Sequence, residues 1–208
     1  MLKISDINIE KLRSNRLQKE LPEFFKLKRF VENDNYWHNN DSVFDHTLRV
    51  LEELEKLLKT TNNKINFYLN QKVDNYTRKD LLFLGALFHD IGKSDSFVKS
   101  GDFTSCLKHE ELGSKKVKPI LDRFDLSDRE KNIVIKIIKY HGKLSDIARP
   151  GSDSLEEEYE KFKSEYSSIL VELILLTMAD TLGSQLKNNR PEEFNFRINF
   201  YKKIIKDF

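Results

Sequence analysis

The stretch LLFLGALFHDIGK, residues 81–93, carries the strongest structural signal in this sequence. Its first eight residues are apolar nearly all round, which is typical of a helix buried at the centre of a protein. His89 and Asp90 follow, and Gly92 supplies a stop signal. A carboxylate is costly to bury unless it is paired or bound to a metal. The stretch therefore predicts a central helix over residues 79–91 that ends in a functional site.

The surrounding pattern predicts an all-α fold, because apolar residues recur mostly at helical spacing and no stretch alternates as a strand does. Further helices are predicted over residues 42–59, 109–124, 127–141, 155–185 and 192–207, with two short helices within 6–31 that part near Leu21-Pro22. Loops are predicted over residues 33–40, 94–108 and 143–154, the last as an exposed candidate lid. We expect one compact helical bundle, residues 1–208, with its core at about 40–186 and helical extensions at 1–39 and 187–208.

Composition excludes several classes of protein. A chain of 208 residues can bury a full core without disulfides, and its only cysteine, Cys106, favours a reducing, cytoplasmic compartment. The 36 Lys and Arg against 34 Asp and Glu argue against a large basic field for nucleic acid, although local patches remain possible. No apolar run is long enough to cross a bilayer, and the first residues do not resemble a signal peptide. We expect a cytoplasmic protein with no membrane partner.

Several polar residues lie where predicted helices begin or end. Asp180 follows an apolar series, at a spacing that points its carboxylate inward. His46 lies in the first turn of a helix that Ser42 can cap, and His109 and His141 lie at or near predicted helix ends. A histidine at a helix end can also simply complement the helix dipole. If these ends meet in one pocket, their imidazoles and carboxylates suit a borderline divalent metal better than calcium.

These motifs resemble the HD-domain superfamily of metal-dependent phosphohydrolases. The resemblance lies in DSVFDHTLRVLEEL around His46, LGALFHDIGKSDSF around His89-Asp90 and LLTMADTLGS around Asp180, and it covers roughly residues 40–186. KHEELGSKK around His109 and IKYHGKL around His141 match the two additional histidines of members that hold two metals. HEELGSK and ADTLGS look closest to the HD domain of some bacterial tRNA nucleotidyltransferases. The 208 residues show no transferase domain, so we do not expect that synthetic activity.

The resemblance implies one or two divalent ions, with Mn, Fe, Co, Ni, Zn or Mg as candidates. One ion would be held by His46, His89, Asp90 and Asp180. Asp90 would also bridge to a second ion, which His109 and His141 would complete. Two metals about 3.5–4 Å apart can generate a hydroxide and clamp the phosphoryl oxygens during in-line attack.

The resemblance also implies a catalytic pair, Asp90 and Lys93, because the HD-x-x-K pattern places a phosphate-contacting lysine three positions after the aspartate. A lysine there acts as a point charge on the substrate anion. The predicted function is a phosphomonoesterase or phosphodiesterase that acts on a nucleotide or another small phosphorylated metabolite through a metal-activated hydroxide. Two alternatives remain open: hydrolysis of a dinucleoside polyphosphate, and a non-catalytic module that binds RNA or another partner.

The remaining polar and aromatic features have weaker functional interpretations. His38, in YWHNND, is predicted to be a solvated surface residue. Trp37 and Tyr36 either cover the core or stack on a base. The pairs Lys115-Lys116 and Lys202-Lys203 are predicted to lie on solvated faces, with RNA binding as the less favoured interpretation. The oligomeric state is left open by the sequence.

Overall fold

A computed structural model describes residues 1–33 and 36–208 and confirms the all-α prediction. The helices are α1 Ile9–Arg13, α2 Pro22–Lys26, α3 Val43–Thr60, α4 Asn63–Leu69, α5 Arg78–Phe88, α6 Lys93–Ser96, α7 His109–Leu121, α8 Asp128–Tyr140, α9 Lys143–Ile147, α10 Leu155–Glu165, α11 Leu170–Gly183, α12 Leu186–Asn189 and α13 Pro191–Lys206. Short 3-10 turns lie at Ile4–Asp6, Leu27–Arg29 and Ser167–Ile169. Two small antiparallel pairs join β1 Val31–Glu32 to β2 Asp41–Ser42 and β3 Phe97–Ser100 to β4 Phe103–Cys106.

Local sequence sets where the helices around the candidate site begin. Ser42 caps α3, where its side-chain oxygen accepts a hydrogen bond from the backbone nitrogen of Asp45 at 3.0 Å. Ser127 and Glu130 form the predicted capping box at the start of α8. These side chains satisfy backbone N–H groups that a first helical turn leaves without intrahelical partners. The starting points of α3 and α8 therefore follow from residues within one turn of each.

Helix α5 lies at the centre of the fold, as its apolar sequence predicts. Its apolar residues, other than the half-buried Phe83, are fully buried. It packs between α3 and α8, while α11 packs along α3. Residues of the N-terminal segment, including Ile4 and Leu12, join the same core, and Tyr201 of α13 packs in a second apolar cluster with Leu173 of α11. This arrangement brings the C-terminal ends of α5, α8 and α11 close to the N-terminal ends of α3 and α7.

The loop predicted over residues 94–108 is wrong. The chain instead forms the short helix α6 and the hairpin β3–β4, which turns at Gly101 with φ +62°. Val98 and Phe103 are 58% and 60% exposed, so the hairpin buries no continuous apolar face. Without such a face there is no period-two hydrophobic pattern to reveal the strands. Of the loop predicted over 33–40, residues 34 and 35 lie outside the described residues.

Two other sequence-based boundaries also need correction. Residues 143–154 are not an exposed loop throughout, because α9 occupies Lys143–Ile147 and buries Leu144 and Ala148 completely. The single helix predicted over 155–185 is two helices, α10 and α11, separated by the turn Ser167–Ile169 and bent by 80°. Apolar periodicity continues across the break, since both helices bury residues in the second cluster. The pattern therefore predicted helix correctly but could not show the bend.

No single helix in the described part of the chain is long and apolar enough to cross a membrane. Among residues 1–33 and 36–208, one bent pair, Leu155–Glu165 and Ser167–Gly183, meets that test of length and composition. Most residues of α11 are buried in this fold.

Candidate metal centre

The converging helix ends bring together all six residues that the sequence predicts as metal ligands. His89 and Asp90 directly follow α5, His141 follows α8, His46 lies in the first turn of α3, His109 begins α7 and Asp180 lies in the last turn of α11. His46, His89, Asp90 and His141 are at most 4% exposed. The side chains of His109 and Asp180 are 18% and 22% exposed. The site is therefore closed on the core side and reaches solvent through these two residues.

The first group of ligand atoms comes from His46, His89 and Asp180. His46 Nε2 lies 2.8 Å from Asp180 Oδ1, and His89 Nε2 lies 3.8 Å from the same oxygen. Asp90 Oδ2 faces both imidazoles, 3.8 Å from His46 Nε2 and 3.3 Å from His89 Nε2. Two nitrogens and two carboxylate oxygens thus surround one point.

The second group comes from His109, His141 and the other oxygen of Asp90. Asp90 Oδ1 lies 3.3 Å from His109 Nε2 and 3.8 Å from His141 Nε2. The two Nε2 atoms are 3.4 Å apart. Asp90 therefore presents one oxygen to each group, in the orientation of a bridging carboxylate.

Three of the histidines share one hydrogen-bonding arrangement. The Nδ1 atom of each donates to the carbonyl three residues earlier: His89 to Ala86 at 2.7 Å, His109 to Cys106 at 2.9 Å and His141 to Ile138 at 2.8 Å. In the neutral ring, a proton on Nδ1 leaves a lone pair on Nε2. Such a backbone contact is how proteins usually orient a histidine that binds metal. Each turn thus aims Nε2 into the site, where it carries a lone pair whenever the ring is neutral.

This donor set fits a divalent metal ion. Bonds of about 2.1 Å place neighbouring ligand atoms roughly 3.0–3.4 Å apart in octahedral or tetrahedral coordination, and the separations here run from 2.8 to 3.8 Å. His89 Nε2 and His46 Nδ1 are buried with no hydrogen-bond partner among the described residues. A buried polar atom without a partner costs about 1–3 kcal/mol. A metal ion at the first group would give His89 Nε2 a partner. A metal ion at the second group would lie between His109 Nε2 and His141 Nε2 and bind both.

The pKa shifts of the site decide which ligands are ready to bind a metal ion near neutral pH. Burial raises the pKa of Asp90, but His89 and Lys93 outweigh burial and hold that pKa well below its usual range. Burial also raises the pKa of Asp180, but the hydrogen bond from His46 contributes to a net lowering of that pKa. Burial lowers the pKa of His89, yet Asp90 and Asp180 raise it to about 9. Burial and the adjacent His89 and His109 lower the pKa of His141 to about 4. Both carboxylates and His141 are therefore ready to coordinate, whereas His89 must first lose a proton.

Lys93 lies within the site, as the HD-x-x-K pattern implies, but it is already paired. Its Nζ lies 2.6 Å from Glu32 Oε2 and 3.0 Å from Asp90 Oδ2, and the residue is only 7% exposed. Burial alone would lower the pKa of Lys93, but the two carboxylates raise it. Lys93 therefore remains charged and holds Asp90 on the side of Glu32. Contact with a substrate phosphate stays a prediction.

The prediction that His38 is a solvated surface residue is wrong. His38 is 5% exposed, its Nδ1 lies 3.1 Å from Asp41 Oδ2, and its ring packs edge-on against His46 with centroids 4.4 Å apart. The pairing of β1 with β2 folds this polar segment back over the start of α3. Sequence analysis also missed Glu32. Neither residue belongs to a periodic pattern, so no local signal could have found them.

His38, Asp41 and His46 form a third group with metal-like spacing. An ion pair already accounts for its charge, because Arg49 lies 2.5 Å from the same Asp41 oxygen that His38 contacts. Burial would raise the pKa of Asp41, but His38 and Arg49 lower it to about 2. We therefore assign this group to positioning of the first two turns of α3, which carry His46 and Arg49.

A cavity of about 340 Å³ opens onto both metal groups. It is lined by Asp90, Lys93, His109, His141 and Asp180, and by Trp37 at its rim. Trp37 is half-buried, packs against the second apolar cluster and lies 5.0 Å from the guanidinium of Arg197. It both covers the core and faces the cavity. Tyr36 is 58% exposed and stacks on Arg190 at 3.3 Å, so it does not cover the core.

The chain is similar in sequence to parts of several known proteins. The relatives include the bifunctional uridylyltransferase/uridylyl-removing enzyme of Legionella pneumophila, 29% identical over 146 residues, which is 69% of this chain and 16% of the relative. The enzyme of the same description from Bordetella pertussis is 26% identical over 172 residues, 82% of this chain and 18% of the relative. The chain thus spans less than a fifth of the length of these relatives. The similarity to tRNA nucleotidyltransferase domains stays a prediction.

The sequence model of the HD domain family matches residues 43–184. This range is well over half of the chain and nearly coincides with the core predicted at about 40–186. The matched range includes the ordered set of His46, His89-Asp90 and Asp180, and both additional histidines. Members of this family are typically metal-dependent hydrolases that bind divalent ions. The chain belongs to the HD domain family.

Proposed function

We propose that this chain is a divalent-metal-dependent phosphohydrolase that cleaves a phosphoester of a nucleotide or another small phosphorylated metabolite. One observation supports it above the others: Asp90 presents its two oxygens to two separate groups of imidazoles. A non-catalytic module would have no use for two such groups at the floor of an open cavity. Mn, Fe, Co, Ni and Zn suit this mixed donor set, and Mg remains a candidate.

Bound metal ions would supply a nucleophilic hydroxide and stabilise charge on the phosphoryl oxygens. The chain's own residues prepare the site for that chemistry. His46, His89 and Asp180 would hold one ion, and His109 and His141 the other, with Asp90 between them. The Lys93–Glu32 pair fixes the rotamer of Asp90 through contacts of 3.0 and 2.6 Å. The 340 Å³ cavity above this floor is of a size to hold a phosphate and the sugar next to it.

The test compares the wild-type protein with Asp90→Asn, which keeps the shape of the side chain but removes the bridging charge. Metal content is measured after loading with each divalent ion. Hydrolysis is then followed on nucleoside monophosphates, a chromogenic phosphodiester and diadenosine tetraphosphate. We expect the wild type to bind metal and hydrolyse the mono- or diester, and Asp90→Asn to lose at least about 100-fold in rate. Asp95→Asn is the matched control, because this exposed aspartate pairs with Lys116 outside the cavity.

The same panel separates the alternatives. Cleavage of diadenosine tetraphosphate alone would favour the dinucleoside polyphosphate hydrolase. Tight RNA binding with no turnover on any substrate would favour the non-catalytic module. Full activity in metal-free Asp90→Asn protein would refute the proposal itself.

A second candidate reaction is removal of a uridylyl group, which the names of the two relatives describe. It is favoured by their similarity across the matched core. A uridylyl group is attached through its phosphate, so its hydrolytic removal breaks a phosphoester and requires no different metal chemistry. Release of uridine monophosphate from a chromogenic uridylyl ester, with no release from the adenylyl analogue, would identify this reaction.

A further inference from the structure

A second and larger depression lies between α7 and α8, beside the 340 Å³ cavity of the candidate metal centre, which we call the metal cavity. Its volume is about 710 Å³, and we call it the lysine groove. It is lined by five lysines, Lys108, Lys115, Lys118, Lys139 and Lys143, together with Tyr140, Ser114, Ile135 and three acidic residues. All five lysines are exposed. The near-neutral composition of the chain therefore conceals a local concentration of positive charge.

The acidic side chains of the groove do not balance its lysines. Glu111 pairs with Lys115 at 2.7 Å, and Asp146 pairs with Arg149 at 2.8 Å. The carboxylate of Glu110 lies 3.5 Å from Nδ1 of His109, at the metal end of the groove. With Glu111 and Asp146 paired, the four lysines other than Lys115 face one remaining carboxylate, Glu110, so the groove keeps an excess of positive charge.

Lys108, Lys118, Lys139 and Lys143 have no ion-pair partner within residues 1–33 and 36–208. They come from different elements: the residue before α7, the end of α7, the end of α8 and the start of α9. Tertiary packing, and not a run of like charges along one helix, therefore places them around one depression. Such a concave, basic surface attracts polyanions.

The groove adjoins the metal cavity. Glu110, Gly142 and Asp146 line both. Gly142 lies between His141, a predicted ligand, and Lys143 of the groove. A chain of phosphates that extends from the metal cavity into the groove passes this shared border, which includes the carboxylates of Glu110 and Asp146. Tyr140 lies in the groove beside Lys139, whose Nζ is 5.1 Å from its ring, and the same ring packs against Tyr166 with centroids 4.7 Å apart.

We propose that the lysine groove binds the sugar–phosphate backbone of a single-stranded oligonucleotide whose terminal phosphoester enters the metal cavity. This proposal rests on the proposed function, because it takes the groove to hold the part of the substrate next to the scissile phosphate. Evenly spaced phosphates match lysines spread over three successive helices and the residue before α7 better than one compact metabolite does. The adjoining cavity, where we propose that a phosphoester is cleaved, favours a nucleotide chain over an acidic peptide.

The test measures binding of a fluorescein-labelled oligouridylate of about eight nucleotides to metal-loaded protein, with phosphorothioate linkages to slow cleavage. Each phosphate contact on a single strand contributes about −0.7 to the slope of log affinity against log salt. Four contacts predict that wild-type affinity weakens about 50-fold between about 50 and 200 mM salt. Lys118→Gln/Lys139→Gln keeps two contacts, so its affinity should weaken only about 7-fold over that range. Lys19→Gln/Lys64→Gln is the control, since these exposed lysines line neither cavity nor groove.

We expect the control to match the wild type in slope, affinity and hydrolysis of a small chromogenic phosphodiester. Equal slopes for the wild type and the groove variant would overturn the proposal. Equally good displacement of the probe by an oligoglutamate of the same charge would overturn the choice of a nucleotide chain. Wild-type hydrolysis of the small diester is measured in parallel. If the groove-dependent slope persists without such hydrolysis, the phosphohydrolase function fails while the groove assignment is supported.

Discussion

Replacement of Gly92 by alanine tests how the two halves of the metal centre are held together. Gly92 follows Asp90 by two residues and packs against the first turn of α7, which begins with His109. A Cβ atom at Gly92 would lie 2.1 Å from the His109 carbonyl oxygen and 2.4 Å from the backbone nitrogen of Gly113. Both neighbours are backbone atoms, so no side-chain rotation can relieve the overlap.

The size of the effect follows from that overlap. A carbon–oxygen contact relaxes to about 3.3 Å, so the start of α7 must move by about 1.2 Å. Overpacking in a dense core costs about 1–3 kcal/mol and occasionally more. Because only backbone can yield, we expect Gly92→Ala to lower the free energy of unfolding by about 3 kcal/mol. A 1 Å displacement of a reacting group can cost about 100-fold in rate. The variant should therefore lose the second metal ion and about 100-fold in hydrolysis.

Urea unfolding measures the stability, and calorimetric titration with a divalent ion measures the metal stoichiometry. Gly113→Ala is the matched control, because its Cβ would meet nothing closer than 3.3 Å. The helical preference for alanine, up to about 1 kcal/mol, should offset that tight contact. If Gly92→Ala keeps both its stability and the wild-type metal stoichiometry, the close approach of Gly92 to α7 does not set the Asp90–His109 distance.

Three other expectations concern charge. Arg78→Ala should lower the free energy of unfolding in urea by about 3–5 kcal/mol, because it leaves the fully buried Glu172 without its 2.6 Å partner. A decrease of less than about 1 kcal/mol would contradict this expectation. The pKa of Asp41 is lowered from 3.8 to about 2. Its ionised form therefore stabilises the fold by about 2 kcal/mol above pH 3.8, and this stabilisation disappears as the pH falls towards 2. The stability difference between wild type and Asp41→Asn should thus halve between pH 7 and about pH 3; a constant difference would argue against the ion pair. Metal binding at pH 7 should release the proton of His89, whose pKa is about 9. It should release none from His141, whose pKa is about 4. Calorimetry in buffers of different ionisation enthalpy counts the released protons. Proton release that is unchanged in His89→Ala would refute this assignment.

Much of the fold could be predicted because its signals are local. The apolar run before His89 predicts the buried α5, and Ser42 and Ser127 predict where α3 and α8 begin. Each depends on residues within a few turns of one another. The break between α10 and α11 and the hairpin β3–β4 were missed, since a bend leaves helical periodicity intact and an exposed hairpin has no apolar face.

The candidate site divides in the same way. Buried polar residues at helix ends, together with the family resemblance, were enough to predict the six candidate metal ligands. The sequence could not show that Asp90 turns one oxygen to each group, or that Lys93 is held by Glu32 at 2.6 Å. His38 was misassigned because strand pairing 31–42, and not local pattern, buries it.

The sequence by itself determined an all-α HD domain, the starts of α3 and α8 and the residue types of the candidate metal centre. Those properties depend on periodicity, capping and the cost of burying charge, all of which act over short stretches of chain. Only the tertiary structure decided the position of Asp90 between the two groups of imidazoles, the burial of His38 and the lysine groove beside the cavity. Each of these depends on distances between residues far apart in the chain, and packing of separate helices sets those distances.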